Sequence, residues 1–338
     1  MTTGSRMETY TGRDARDPAR VQDWLGPHSS TAVDWPLDAL LLAKGPTTVS
    51  VVLPARDEER TVGEIVSIIR RDLVEAVPLV DEILVVDSRS TDATAARAAA
   101  AGARVVHQDQ VLPELPPLSG KGEALWKGLA ATTGDVVVFA DSDVRNFGAH
   151  FISGLLGPLL TDPRIQFVKG AYERPYTGPD GTVQRGAGGR VTELVARPLL
   201  NLYWPELAGF VQPLGGEYAA RRTALERVPF ATEYGVEFGL LVDLLETIGL
   251  DAMAQVDLGS REHSHQSTTA LGRMAGQIIL TAWSRLERQG RIVTSEPPST
   301  GLLQFAPDRQ ATWHDVSVAE RPPLATLPRP AGVKEDVA

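Results

Sequence analysis

The chain has 338 residues, a formal net charge of -10 and no cysteine. This excludes disulfides, thiolate metal sites and cysteine nucleophiles, and it is the opposite of the basic footprint of a nucleic-acid binder. Hydrophobic residues make up 43% and charged residues 22%, as in an ordinary globular protein that buries a core, so any anionic ligand must be met by local cations.

Residues 1–47 read as an N-terminal extension, with Trp24, Trp35 and Leu40 to Leu42 as points of attachment. Its first twenty residues scatter Arg6, Arg13, Asp14, Arg16 and Asp17 without an apolar core, so no signal peptide is expected. From Thr48, short Val- and Ile-rich runs alternate with helical stretches, the pattern of βαβ units on a mainly parallel sheet. The expected order begins with a strand at Val49 to Leu53 and a helix from about Thr61 to Asp72. A second strand at Glu82 to Val86 leads to an Ala-rich helix capped by Ser90 or Thr91 and ending near Ala101. Next come a strand at Arg104 to His107, a helix opened by Gly120-Lys121-Gly122, and a strand at Asp135 to Ala140.

Further along, Ile165 to Ala171 and residues 254–258 read as strands, and Val236 to Ile248 as a helix with Gly249 at its C-terminal cap. The stretch Pro198 to Gly216 is apolar but broken by Pro205, Glu206 and Pro213, short of the roughly 20 clean residues of a membrane helix. A soluble, cytoplasmic protein is expected. Residues 296–338 are proline-rich and aperiodic and read as a loosely attached tail.

Ligands of open α/β sheets bind beyond the carboxyl ends of the strands. Three strand ends here carry polar clusters: Pro54-Ala55-Arg56-Asp57-Glu58-Glu59, Asp87-Ser88-Arg89-Ser90-Thr91-Asp92 and Asp141-Ser142-Asp143. In extended geometry Asp141 and Asp143 face one side, a pair suited to Mg2+ or Mn2+, although a polar turn with Asp143 as a cap gives the same letters. Lys121 between two glycines at a helix start suits a phosphate, or is a solvated loop lysine. His263 and His265 share a side and can supply an imidazole to a carboxylate metal site, or are ordinary surface histidines. Arg190 and Thr192, with Gly186, Gly188 and Gly189 before them, form a candidate anion cradle, or a mobile glycine loop.

Together the three clusters, in this order and spacing, resemble the GT-A glycosyltransferases, whose first and second clusters hold uridine and ribose and whose Asp-x-Asp carries the metal. Over residues 48–290 the further motifs Gly-Lys-Gly, Gly-Gly-Arg-Val-Thr-Glu-Leu and Arg-Glu-His are similar to the glucosyl-3-phosphoglycerate synthases. That resemblance implies an α/β GT-A fold with a donor region at 48–230, an acceptor and metal region with oligomerisation helices at 231–295, and a dimer. It implies a retaining transferase that moves glucose from UDP-glucose to the 2-hydroxyl of 3-phosphoglycerate with Mg2+ or Mn2+, the first step toward a methylglucose lipopolysaccharide. Pro54, Ala55, Glu58, Ser88, Lys121, Asp141, Ser142, Asp143, Tyr234 and Glu237 then fall to the donor, with Lys121, Asp143 and Glu237 catalytic. Gly189, Arg190, Thr192 and His265 fall to the acceptor, and Asp143 and His263 to the metal. The competing readings are an inverting transferase acting on a polyprenyl phosphate, a sugar-phosphate nucleotidyltransferase, and a sugar-nucleotide-binding protein without catalysis.

Overall fold

The computed structural model describes residues 18–174, 176–177, 183–184, 189–262, 266–306 and 308–327. In chain order the elements are α1 (Pro18–His28), β1 (Ser29–Thr31), α2 (Leu37–Lys44), β2 (Val49–Ala55), α3 (Val62–Ile69), β3 (Glu82–Asp87), α4 (Thr94–Ala101), β4 (Arg104–His107), α5 (Lys121–Ala131), β5 (Val136–Phe139), α6 (His150–Thr161) and β6 (Phe167–Glu173). They continue with the two-residue strands β7 (Tyr176–Thr177) and β8 (Val183–Gln184), then α7 (Arg197–Tyr203), β9 (Tyr218–Arg221), α8 (Arg222–Leu225), β10 (Phe230–Ala231), α9 (Val236–Ile248), β11 (Met253–Ser260), α10 (Thr268–Arg288), β12 (Gly301–Phe305), β13 (Ala311–Asp315) and β14 (Glu320–Arg321).

One eight-stranded sheet runs in the order β1-β11-β6-β9-β5-β2-β3-β4. Its pairs are parallel except where β9 enters between β5 and β6 and runs antiparallel to both. The strands read as unbroken apolar runs because both faces are covered. Alternate residues of β2 show it: Val52 packs with Trp126, Phe139 and Tyr218 under α5 and α9, whereas Val51 and Leu53 pack with Ile65, Phe151 and Leu155 under α3 and α6.

The early strands and the α9 helix fall where the sequence places them. Two expectations are corrected. The Ala-rich helix is not capped by Ser90 or Thr91: it starts at Thr94, whose N–H donates to Asp92 Oδ1 at 2.9 Å. Thr91 N–H instead donates to Asp57, and Ser90 Oγ accepts from the Asp57 N–H, so these hydroxyls tie the second strand-end cluster to the first. The segment after Pro297 is not loosely attached over its described part: β12 and β13 pair as a hairpin, and β14 pairs antiparallel with β10. The N-terminal extension adds β1 to the edge of the sheet beside β11, and Trp24 Nε1 donates to the Leu250 and Met253 carbonyls.

Candidate active site

The parallel strands end together on one edge of the sheet, and a cleft of about 480 Å³ opens there. Ser142 is buried and donates its hydroxyl to the Pro54 carbonyl at 2.7 Å, while its own carbonyl accepts from Thr61 Oγ1, which locks the Asp-Ser-Asp turn onto the end of β2. Ser88 is held by Gln108 through a buried hydrogen bond of 2.7 Å. Asp57 and Arg89, just past β2 and β3, take positive φ values of 57° and 62°, a conformation that side-chain-bearing residues seldom adopt and that gathers at functional edges.

Electrostatics organise the floor. Lys121, first residue of α5, stands 2.5 Å from Asp141 Oδ1 and 2.7 Å from Glu237 Oε1. Glu237 is almost fully buried, and its Oε1 faces the Lys121 ammonium as an ion-pair partner. Arg261, just past β11, reaches Asp141 at 2.7 Å, Asp143 at 2.8 Å and the fully buried Glu217 at 2.9 Å. Burial alone would lower the Lys121 pKa, but Asp141 and Glu237 outweigh it and hold the ammonium charged. Burial likewise pushes the Asp141 carboxyl up, yet Lys121 and Arg261 bring it well below the usual carboxylate range.

Gly216 lies against this floor because a Cβ there would stand 2.2 Å from Asp141 Oδ1. The neighbouring Gly215 carbonyl accepts from the buried Lys169 ammonium at 2.5 Å. Burial pushes that amine down to about 7.

Of the residues singled out in the sequence, Pro54, Ala55, Glu58, Ser88, Ser142 and Tyr234 line this one cleft with Lys121, Asp141, Asp143 and Glu237. Gly189, Arg190 and Thr192 line the same cleft. Gly189 takes φ 74°; Arg190 is exposed and donates to Thr268 Oγ1 and the Gln266 carbonyl; Thr192 Oγ1 is buried with no hydrogen-bond partner among the described residues. His263, His265, Gly186 and Gly188 lie outside the described residues. Sequence reasoning missed Arg261, Glu217, Lys169 and Arg174. Arg261 could have been found, as the cation opening the Arg-Glu-His segment at a strand end. The signal for Glu217 was hidden because β9 was not recognised as a strand.

The donor set fits a hard divalent cation. Asp143 carries a raised pKa: burial leads, and Asp141 and Glu217 add to it against the opposing Arg261. Glu58 is pushed up to about 7 by burial and then by Asp143. This surplus of closely spaced carboxylate charge is what a divalent ion with oxygen ligands relieves. Among the described residues no group of three or more His, Cys, Asp or Glu side chains is placed to hold a metal ion by itself.

Residues 50–190 match the family described as Glycosyl transferase family 2. Over 326 residues the chain is 49% identical to the glucosyl-3-phosphoglycerate synthase of Mycolicibacterium paratuberculosis, an alignment covering 94% of this chain and 95% of the relative. Among solved structures it is similar to the mannosyl-3-phosphoglycerate synthase of Rubrobacter xylanophilus, with a TM-score of 0.84 at 40% identity over 91% of this chain and 100% of that one. It is also similar to the glucosyl-3-phosphoglycerate synthase of Mycobacterium tuberculosis in complex with Mn2+, UDP-glucose and phosphoglyceric acid, with a TM-score of 0.75 at 48% identity over 86% of this chain and 95% of that one. The mainly parallel sheet, the carboxylate-lined crevice at its strand ends and these matches define a glycosyltransferase of the GT-A class. The chain belongs to the glucosyl-3-phosphoglycerate synthase family.

Proposed function

We propose that the protein transfers glucose from UDP-glucose to the 2-hydroxyl of 3-phosphoglycerate with retention of configuration. The observation that carries this reading is the Lys121 ammonium bridging Asp141 and Glu237 on the floor of a cleft whose two walls differ in chemistry. One wall, with Pro54, Glu58 and Ser88, belongs to the nucleotide. The other offers donors to an anionic acceptor: Arg190, with the Thr192 hydroxyl and Arg174 Nε, both buried and without a hydrogen-bond partner among the described residues.

In this assignment Lys121 neutralises the diphosphate as it leaves, an electrostatic contribution made to charge that develops in the transition state. Asp141 holds the Lys121 amine in place from one side and Glu237 from the other, and Glu237 is also assigned to glucose hydroxyls. Asp143, with His263, would hold the divalent ion, which when bound supplies Lewis-acid neutralisation of the same diphosphate. The floor carboxylates are committed to cations, Asp141 to Lys121 and Arg261 and Glu237 to Lys121. Neither stands free as a nucleophile, which favours attack on the face the diphosphate leaves, with a donor phosphate oxygen taking the acceptor proton.

His265 is assigned to the acceptor side. Residues 48–230 serve the donor and 231–295 the acceptor and metal, as a functional division of a site built on one sheet, since β11 at 253–260 joins the strands of the first region. A homodimer is proposed, supported by the hairpin face on which Leu303 pairs with Trp313 and Phe305 lies exposed. Among the described residues no helix is long and apolar enough to cross a membrane; a cytoplasmic location follows from the proposed substrates, both intracellular metabolites. The test is UDP release from UDP-glucose. Release that requires both 3-phosphoglycerate and a divalent ion supports the reading; release unaffected by 3-phosphoglycerate removes it.

A further inference from the structure

The C-terminal strand β14 is tied to the helix that carries Lys121. Arg321, on β14, is buried and makes a bidentate pair with the fully buried Glu123, both contacts 2.7 Å. A third bond of 2.6 Å runs from Arg321 to the Pro116 carbonyl, and Trp126 Nε1 donates to Pro322 O at 2.9 Å. Glu123 lies in the first turn of α5, two positions after Lys121.

The adjacent residue faces other partners. Glu320 pairs with Arg285 of α10 and lies 3.4 Å from Arg288, and these two arginines grip Asp243 of α9 at 2.7 and 2.5 Å. Helix α9 carries Glu237 in its first turn. The contact surface is close as well as charged: β14 pairs with β10, the Thr232 carbonyl following β10 accepts from Glu123 N–H at 3.1 Å, and a Cβ on Gly122 would stand 1.8 Å from the Ala231 carbonyl oxygen.

We propose that Glu320 and Arg321 are positioning residues, a strap that sets the spacing of α5 and α9 and thereby the Lys121–Glu237 pair in the cleft. Arg321 holds α5 directly through Glu123, and Glu320 holds α9 through Arg285 and Arg288, which grip its Asp243; the first turns of α5 and α9 meet in the cleft at 2.7 Å. A bidentate guanidinium–carboxylate pair fixes orientation as well as distance, which a lone ammonium does not. Displacement of a reacting group by about 1 Å can cost on the order of 100-fold in rate. The catalytic consequence rests on the glucosyltransferase reading above; the geometric one does not.

The experiment compares wild type with Arg321→Met, Arg321→Lys and Glu320→Gln, each held well below its own measured Tm so that all are folded. Two quantities are read. Glucose transfer should lose at least ~10-fold in kcat in Arg321→Met with KM for 3-phosphoglycerate little changed, and Arg321→Lys should recover part of the loss. Independently, brief treatment with acetic anhydride followed by peptide mass spectrometry should show Lys121 acetylated faster in Arg321→Met, with Lys44 as the internal control. Wild-type kcat together with wild-type Lys121 labelling in a folded Arg321→Met protein overturns the proposal. If Arg321→Met does not fold, Glu320→Gln is read in the same assays, and no change in either overturns it. If wild type transfers no glucose, the function reading has failed, and Lys121 labelling alone decides the strap.

Discussion

Arg261 and Asp143 stand 2.8 Å apart through the same guanidinium nitrogen that lies 2.7 Å from Asp141. One buried cation thus serves both ends of the Asp-Ser-Asp turn, and its Nε serves Glu217 behind them. Removing it leaves buried carboxylates facing one another, and breaking such a pair by deleting one partner typically costs about 3–5 kcal/mol. Arg261→Ala should therefore lower unfolding free energy by an amount of that order, measured by urea denaturation, and abolish activity. Arg261→Lys should keep part of the stability but lose the fork that spans two carboxylates.

Asp141 and Asp143 should part company when each is replaced by alanine. The Asp143 side chain is 30% exposed and its loss orphans no lysine, so Asp143→Ala should abolish activity and metal-dependent donor binding while Tm changes little. Asp141→Ala frees both Lys121 and Arg261 from a shared partner and should lower Tm as well. Thermal unfolding beside a donor titration separates the two.

Glu58 gives a pH signature in the metal-free protein. Its carboxyl is raised from an ordinary 4.5 to about 7 in the folded chain, by burial and then by Asp143. A folded pKa above the unfolded one means that the native state binds more protons, so stability is fullest below about 4.5 and is lost as pH rises through 7. Glu58→Gln should therefore raise Tm at pH 8 and change it little at pH 5. Equal shifts at both values would contradict the assignment.

Gly216→Ala puts a methyl where Asp141 Oδ1 stands, at 2.2 Å, and neither backbone nor carboxylate can yield freely because Asp141 is tied to Lys121 and Arg261. Loss of donor affinity with a native-like circular dichroism spectrum is expected.

Arg190→Lys tests the acceptor wall. A planar guanidinium suits phosphate or carboxylate bidentately and an ammonium does not. The apparent KM for 3-phosphoglycerate should rise at least ~10-fold, about 1.4 kcal/mol of binding, with UDP-glucose affinity nearly unchanged; Thr192→Ala should act in the same direction more mildly. Steady-state kinetics with each substrate varied in turn distinguish this from a donor-site role.

Much of the first half of the sheet was legible because parallel strands buried on both faces print as apolar runs and end in polar clusters, as at Val49 to Glu59 and Val136 to Asp143. What was hidden was long-range. The strand β9 at Tyr218–Arg221 is four residues long and lies between β5 and β6, distant in sequence from β5, so neither its antiparallel entry nor the role of Glu217 could be read locally. Arg321 looked like part of an aperiodic tail because its partner, Glu123, lies on a helix near the middle of the chain. Lys169 sits within an otherwise apolar strand, and only the fold reveals the Gly215 carbonyl that receives it.

Glucose transfer to 3-phosphoglycerate can be read by incubating the protein with a divalent ion, 3-phosphoglycerate and, in parallel, UDP-glucose, GDP-glucose and GDP-mannose, and identifying the product by NMR. The expected product is glucosyl-3-phosphoglycerate from UDP-glucose, linked through the 2-hydroxyl with the anomeric configuration of the donor retained, and it should be lost in EDTA. An inverted product, or transfer that proceeds undiminished in EDTA, would contradict the proposed function.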